Sequence, residues 1–314
     1  MNLIRLSILK LANSEINFNT DGIHDIMSII KKYLYLELDN KNIKKDVSMW
    51  RTNKNEALKI YGHISSWDTR QVTCMRELFI GFRMFNDDIS KWNVSNVKNM
   101  ENMFHSAYSF NQSINEWNVS NVVNMRRMFF AASSFNQPIN KWNVSNIKNM
   151  EDMFWGAKSF NQNINDWNVS NVETMNYMFC DTSFNHPLDN WCVNQVKTMK
   201  YMFAATTFNQ PLNMWNVDQV IDMQGMFYNA VSFNQSIECW KVDNVLDTGK
   251  MFQNAISFNQ PLNNWNINKH IQFEDMFTGA VNFDQSLDKW EINVIRRISL
   301  GIFRSVKHSR ASEN

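Results

Sequence analysis

The chain has 314 residues, 44% of them apolar, and its 31 Lys+Arg against 30 Asp+Glu leave a net charge of +1. So even a balance sets up no field that would draw the protein to nucleic acid or to an anionic membrane surface. No run of 18 apolar residues occurs, so no membrane-spanning helix is expected.

Residues 1–66 carry no repeat. Arg5 and Lys10 interrupt the apolar start, which argues against a secretory signal. Ile23, Ile26, Met27, Ile30 and Leu34 recur at helical spacing behind Thr20 or Asp21 as a cap, and residues 33–38 either continue that helix or alternate as a strand. Ile43, Val47 and Trp50 suggest a second helix, and residues 56–61 a third that Gly62 stops. This mainly helical segment is expected to cover the first layer of a repeat that begins at Trp67.

Residues 67–303 are organised by a period. Trp stands at 67, 92, 117, 142, 167, 191, 215, 240, 265 and 290, in steps of 25 residues except for two of 24. A fixed period in this range marks one small unit stacked on copies of itself. With each Trp as position zero, apolar residues fall at positions 5, 8, 11, 12 and 15, as in Val97, Met100, Met103, Phe104 and Ala107. That spacing fits one face of an α-helix, with position 3 (Ser95, Ser120, Ser145, Ser170 and their equivalents) as N-cap. The other half of the unit, Ile-x-x-Trp-x-Val, reads as an extended segment with Trp and Val inward and the residue between them outward. Pro138, Pro187, Pro211 and Pro261 share one slot, expected at the entry to that strand, where no N–H is needed. The two short units lose their residue between one Phe and the next (Phe179 to Phe184, Phe203 to Phe208), which places a loop there. The expectation is an α/β, leucine-rich-repeat-like solenoid of about nine 25-residue strand–helix units, with residues 304–314 as a polar tail.

The wording Trp-Asn-Val-Ser-Asn-Val-x-Asn-Met-x-x-Met-Phe-x-x-Ala-x-Ser-Phe-Asn-Gln resembles the repeat of the BspA-like leucine-rich-repeat surface proteins, a repeat of unknown function first noticed in mycoplasma proteins. It is also similar to repeats in proteins of protists and large DNA viruses. The resemblance runs from Trp67 to about Phe303, and the leader containing Val47, Ser48, Met49 and Trp50 is similar to the segment that precedes the first repeat in that family. It implies a leucine-rich-repeat-like solenoid without catalysis.

Columns of the repeat become stripes on the surface. Met and Phe columns fit a core, since Met fills irregular gaps and Phe supplies buried area. The Asn column at 111, 136, 161, 185, 209, 234 and 259 fits a structural ladder, because an amide can bond both to loop backbone and to its own copy. The residues flanking Trp are expected to line an exposed strand face: Lys91, Asn93, Glu116, Asn118, Lys141, Asn143, Asp166, Asn168, Asn216 and Asn266. Signs alternate along Lys91, Glu116, Lys141 and Asp166, a pattern that pairs charges across neighbouring units. A polar, sparsely charged, amide-rich face suits a protein partner, or a glycan, better than nucleic acid.

No catalytic, metal-binding or cofactor-binding residues are expected: the six His are scattered, no Cys-x-x-Cys occurs, and no nucleophile or phosphate-loop motif is present. Cys74, Cys180, Cys192 and Cys239 occupy unrelated repeat positions and are expected as reduced thiols. The functional expectation is a monomeric, intracellular, non-enzymatic scaffold that binds a protein partner, in host cytoplasm if viral. The alternatives are a surface adhesin binding host protein or glycan, as the family resemblance implies, and a ubiquitin-ligase adaptor, since residues 21–34 followed by Val47 and Trp50 resemble an F-box.

Overall fold

The computed structural model describes residues 38–267 and 271–290. The expected helix beginning near residue 21, the final unit beyond Trp290 and the tail at 304–314 lie outside the described residues.

Two helices form where apolar spacing places them. α1, Ile43–Thr52, buries Ile43, Val47 and Trp50 on one face. α2, Lys54–Tyr61, opens on Asn53, whose Oδ1 accepts from the Glu56 N–H at 3.3 Å, and closes on Gly62 at φ 72°. They sit on the first coil of the repeat as a cap. The Trp50 indole donates to Asp87 Oδ2 at 2.8 Å, and Lys54 pairs with Asp87 at 2.7 Å. Asn40 supplies the hydrogen bonds that a preceding coil would have made: its Oδ1 accepts from the N–H groups of Thr73 and Cys74 at 2.9 and 3.0 Å.

From Trp67 the chain winds into coils laid one on another, with equivalent residues of the paired positions in register from coil to coil. The coils contain neither the helix nor the strand expected of them. Among the described residues the only helices in the chain lie between Ile43 and Ser66, and the β-pairing between coils is confined to isolated single-residue parallel bridges such as Asn99↔Asn124 and Asn124↔Asn149. The α/β strand–helix reading of the unit is therefore wrong, and the reason is spacing. Phe104 stacks on Phe129 at 5.5 Å and Phe129 on Phe154 at 5.6 Å, although these residues sit in the segment read as helix. Neighbouring helices need about 8–10 Å between axes, so helices cannot be stacked in so thin a layer.

What replaces the helix is a two-way division of backbone donors. Met100, Asn102, Phe104 and Ser106 donate to the carbonyls of Asn124, Arg126, Met128 and Phe130 in the next coil at 2.7–3.0 Å. Met103, His105 and Ala107, which alternate with them, close i→i+3 turns on Met100, Asn102 and Phe104 at 3.0–3.2 Å. To aim alternate amides outward along the stack, the backbone passes through the left-handed region twice per coil, at position 10 (Asn102, φ 55°) and position 14 (Ser106, φ 56°). The Ser expected as N-cap has another role. Ser95 donates its N–H and Oγ–H to Asn93 Oδ1 at 3.0 and 2.7 Å, and Ser120, Ser145 and Ser170 repeat the arrangement on Asn118, Asn143 and Asn168.

The core is a set of aromatic columns. The nine repeat-column Trp from Trp92 to Trp290 are all buried, and each indole N–H donates to the carbonyl of an Ile or Leu in the preceding coil at 2.8–3.2 Å. Trp rings stack at 6.4 Å, as Trp191 does on Trp215 and Trp215 on Trp240. Two Phe columns run beside them, and within a coil their rings lie face to face, as Phe104 and Phe110 do at 3.9 Å. Outside this core the Asn column forms the structural ladder expected of it. From Asn86 to Asn259 each Oδ1 accepts the backbone N–H of its copy in the next coil at 2.9–3.1 Å, Asp284 donating at the last step.

The two 24-residue coils keep their register through a hydroxyl. Thr182 Oγ1 donates to the Phe179 carbonyl at 2.7 Å and accepts from the Phe184 N–H at 3.4 Å, and Thr206 does the same between Phe203 and Phe208. Both Thr are buried. Thr182→Val keeps the shape and removes the hydroxyl, so it should destabilise the protein by about 1–3 kcal/mol in a urea titration, the cost of leaving buried backbone groups unmatched; an unchanged midpoint would contradict this role of the hydroxyl.

Candidate functional site: the ladder face

All ten Trp-flanking residues, Lys91, Asn93, Glu116, Asn118, Lys141, Asn143, Asp166, Asn168, Asn216 and Asn266, are exposed along one edge of the stack. That edge is made of tight turns and is not the face on which coils pair through their backbones. Its amides are largely committed to local structure: the Oδ1 of Asn93, Asn118, Asn143 and Asn168 serves the Ser turns, that of Asn216 accepts from the Asp218 N–H at 2.9 Å, and Asn266 Nδ2 bonds Asp243. Of the alternating charges, Glu116 and Lys141 pair, while Asp166 accepts only a 3.5 Å contact from Asn190.

Backbone pairing between coils runs instead through positions 7 to 14, and the side chains on that ladder face are of three kinds. Position 9 carries a chain of ion pairs: Arg76 to Glu101 at 3.3 Å, Glu101 to Arg126 at 3.6 Å, and Arg126 to Glu151 at 3.2 Å. Side chains in register at strand-like spacing are close enough for such pairing, each worth roughly 0.2–1 kcal/mol. Positions 10 and 13 share an outward aromatic row, half-exposed throughout: His105 on Phe130 at 4.6 Å, Phe130 on Trp155 at 5.1 Å, Trp155 on Tyr177 at 4.9 Å, Tyr177 on Tyr201 at 5.0 Å, and Tyr201 on Tyr228 at 5.9 Å. The row changes column twice. His105, Phe130, Trp155 and Tyr228 occupy position 13, whereas Tyr177 and Tyr201 occupy position 10, opposite the small Cys180 and Ala204. Gly225 completes the exchange: a Cβ there would meet the Tyr201 ring at 2.2 Å.

Under the row lies a buried, incompletely satisfied carboxylate. Asp152 is 1% exposed, takes one hydrogen bond from Arg127 Nε at 2.8 Å, and leaves Oδ1 buried without a partner. Burial pushes its pKa up, only partly opposed by Arg127. Burial, reinforced by the charge of Arg127, lowers that of His105, which is neutral at neutral pH. The Cys180 thiol is pushed up to about 12, chiefly by burial, so it is a filler and not a nucleophile. All four cysteines are free thiols.

Sequence reasoning found the columns but placed the paired face on the wrong side. A signal was available at position 14, which reads Gly81, Ser106, Ala131, Gly156, Asp181, Ala205, Asn229, Asn254 and Gly279. Gly, Asn and Asp are the residues that accept a left-handed backbone, and so many of them in one column are out of place in a helix. Among the described residues no group of three or more His, Cys, Asp or Glu is placed to hold a metal ion, and no helix is long and apolar enough to cross a membrane.

A family model described as "Mycoplasma protein of unknown function, DUF285" matches residues 48–154, 137–231 and 204–312, as tandem copies covering most of the chain. No curated protein and no solved structure matches the chain.

Asp152 makes the stability of the fold depend on pH. Its folded-state pKa lies above the unfolded value, so the folded protein carries a penalty above the folded pKa that disappears once both states are protonated. Asp152→Asn should therefore melt higher than the native protein at pH 7 to 8, and the difference should shrink as pH falls through the acid range. A difference that grows on acidification would contradict the assignment.

Proposed function

The chain belongs to the family described as Mycoplasma protein of unknown function, DUF285, and from that premise we propose that it is a non-enzymatic repeat scaffold that holds a protein partner against its ladder face. The observation that supports this is the division between constant and varied columns. The Trp, Phe and Asn columns repeat nearly unchanged and are consumed by the core and the ladders. Position 10 instead runs Glu77, Asn102, Arg127, Asp152, Tyr177, Tyr201, Gly225, Lys250 and Asp275 over an unchanging backbone. A rigid frame that carries a different side chain at each step is how stacked-repeat proteins build extended binding surfaces. Half-exposed Trp, Tyr and Arg are also the residue types that anchor protein interfaces. Kinship with the BspA-like repeats rests on the shared repeat wording.

Photo-crosslinking in the source cell tests this reading. A crosslinking amino acid placed at Arg126, Trp155 or Tyr228 should yield a discrete adduct with another protein, and the same amino acid at Asn118 or Asn143 should not. Adducts confined to the turn edge, or none at any position, would overturn it.

A further inference from the structure

We propose that the N-terminal half of the ladder face holds a groove for an extended acidic peptide segment bearing aromatic or aliphatic side chains. The proposal rests on the scaffold reading and names the chemistry of the partner.

Two open clefts, of about 830 and 370 Å³, adjoin through Tyr108, which lines both. Small residues of position 14 line them along their length: Gly81 and Ser106 in the first, Ala131 and Gly156 in the second. Position 13 stands on one side with His105, Phe130 and Trp155, and positions 16 and 17 on the other with Arg83, Met84, Tyr108 and Lys158. Those small residues thus cross four successive coils, and Asp181 of a fifth lines the far end. At the roughly 5 Å strand-like spacing of such layers, the trough is about 15 Å long, room for about five extended residues.

Its chemistry selects the occupant. The larger cleft is lined by Arg51 and Arg83 and by no carboxylate. Both guanidiniums are held in place: Arg51 donates to the carbonyls of Ile80 and Gly81 at 3.3 and 3.0 Å and lies over Phe82, and Arg83 lies over Tyr108, each 5.5 Å from the ring centre. His105 is neutral and adds no charge. In the smaller cleft Lys158 meets Asp181 at 3.5 Å and cancels it. The groove is therefore cationic at one end, and a ligand that complements it is acidic there. Its apolar content is unusually open to solvent: Met84 is 80% exposed, Ile80 40% and Tyr108 39%. Exposed Met and aromatic side chains grouped in one trough suit apolar side chains of a peptide better than a sugar chain. The amides of Gly81, Ser106, Ala131 and Gly156 already donate to the next coil at 2.6–2.8 Å, so the segment is held by side chains and not added as a strand.

Phage-displayed random dodecapeptides panned against the full chain, with the enriched sequences resynthesised and titrated by fluorescence anisotropy, test this. The enriched pool should combine Asp or Glu with aromatic or aliphatic residues and bind more weakly as salt rises. Arg83→Glu and, separately, Tyr108→Ala should weaken binding by about tenfold or more, while Glu116→Lys on the turn edge leaves it unchanged. Arg83 is exposed, so its substitution does not threaten folding; Tyr108→Ala is accepted only with an unchanged melting temperature. Peptides that bind the Arg83→Glu and Tyr108→Ala proteins as well as the native one would overturn the groove and leave the scaffold reading standing. An enriched pool without acidic residues would overturn it too. Heparin bound at the groove, with no peptide enriched, would assign it to an anionic glycan and count against both.

Discussion

Everything in this fold depends on the thickness of one layer. Each coil must donate about half of the amides along one side to the coil next to it, and that bond fixes neighbouring backbones at a strand-like distance. Once the spacing is set, side chains have one way to fill it, which is flat rings laid over flat rings. Trp and Phe supply those rings, and the buried Trp N–H supplies a further bond to the preceding coil. A unit with no interior of its own is thereby buried on both sides by its copies, and a large apolar fraction is hidden in a protein one layer wide.

The same spacing explains which parts of the fold were legible in the sequence. The Trp, Phe, Met and Asn columns were legible because their buried or laddered roles demand one side-chain shape at a fixed interval. The helices of the cap were legible because Ile43, Val47 and Trp50 face a single neighbour and Gly62 marks the end of the second, whose start at Lys54 lies two residues before the expected one. The conformation of residues 97–107 was not. Steps of three residues between buried side chains arise equally from a helix and from a chain of i→i+3 turns, and both place Val97, Met100, Met103 and Ala107 inward. What separates the two is where the remaining amides go, and that is a relation between coils. The left-handed residues at position 14 were its local trace, diluted by Ser106, Ala131 and Ala205, which hold the same backbone at some cost.

The expectation that the Trp-flanking residues line a strand face came from the same ambiguity. With a helix assigned to positions 5 to 15, pairing between coils had to fall beside the Trp, and Lys91, Asn93 and their copies became its exposed side. With pairing moved to positions 7 to 14, those residues lie on an edge of turns, where Asn93 and Asn118 serve the backbone. The ion-pair chain, the aromatic row that shifts column at Cys180 and Ala204, and the buried Asp152 lie together on the paired face. None of these belongs to a constant column, so periodicity alone could not single them out; their distinguishing mark is that they change where the frame does not.

The fold is defined by the partners of particular amides, and NMR can read those directly. Scalar couplings across hydrogen bonds, recorded on deuterated protein, should connect the Phe104 amide to the Met128 carbonyl and the Asn102 amide to the Arg126 carbonyl, each in the following coil. Coupling of Phe104 to the carbonyl of Met100, four residues back in its own coil as an α-helix requires, would contradict this layered architecture.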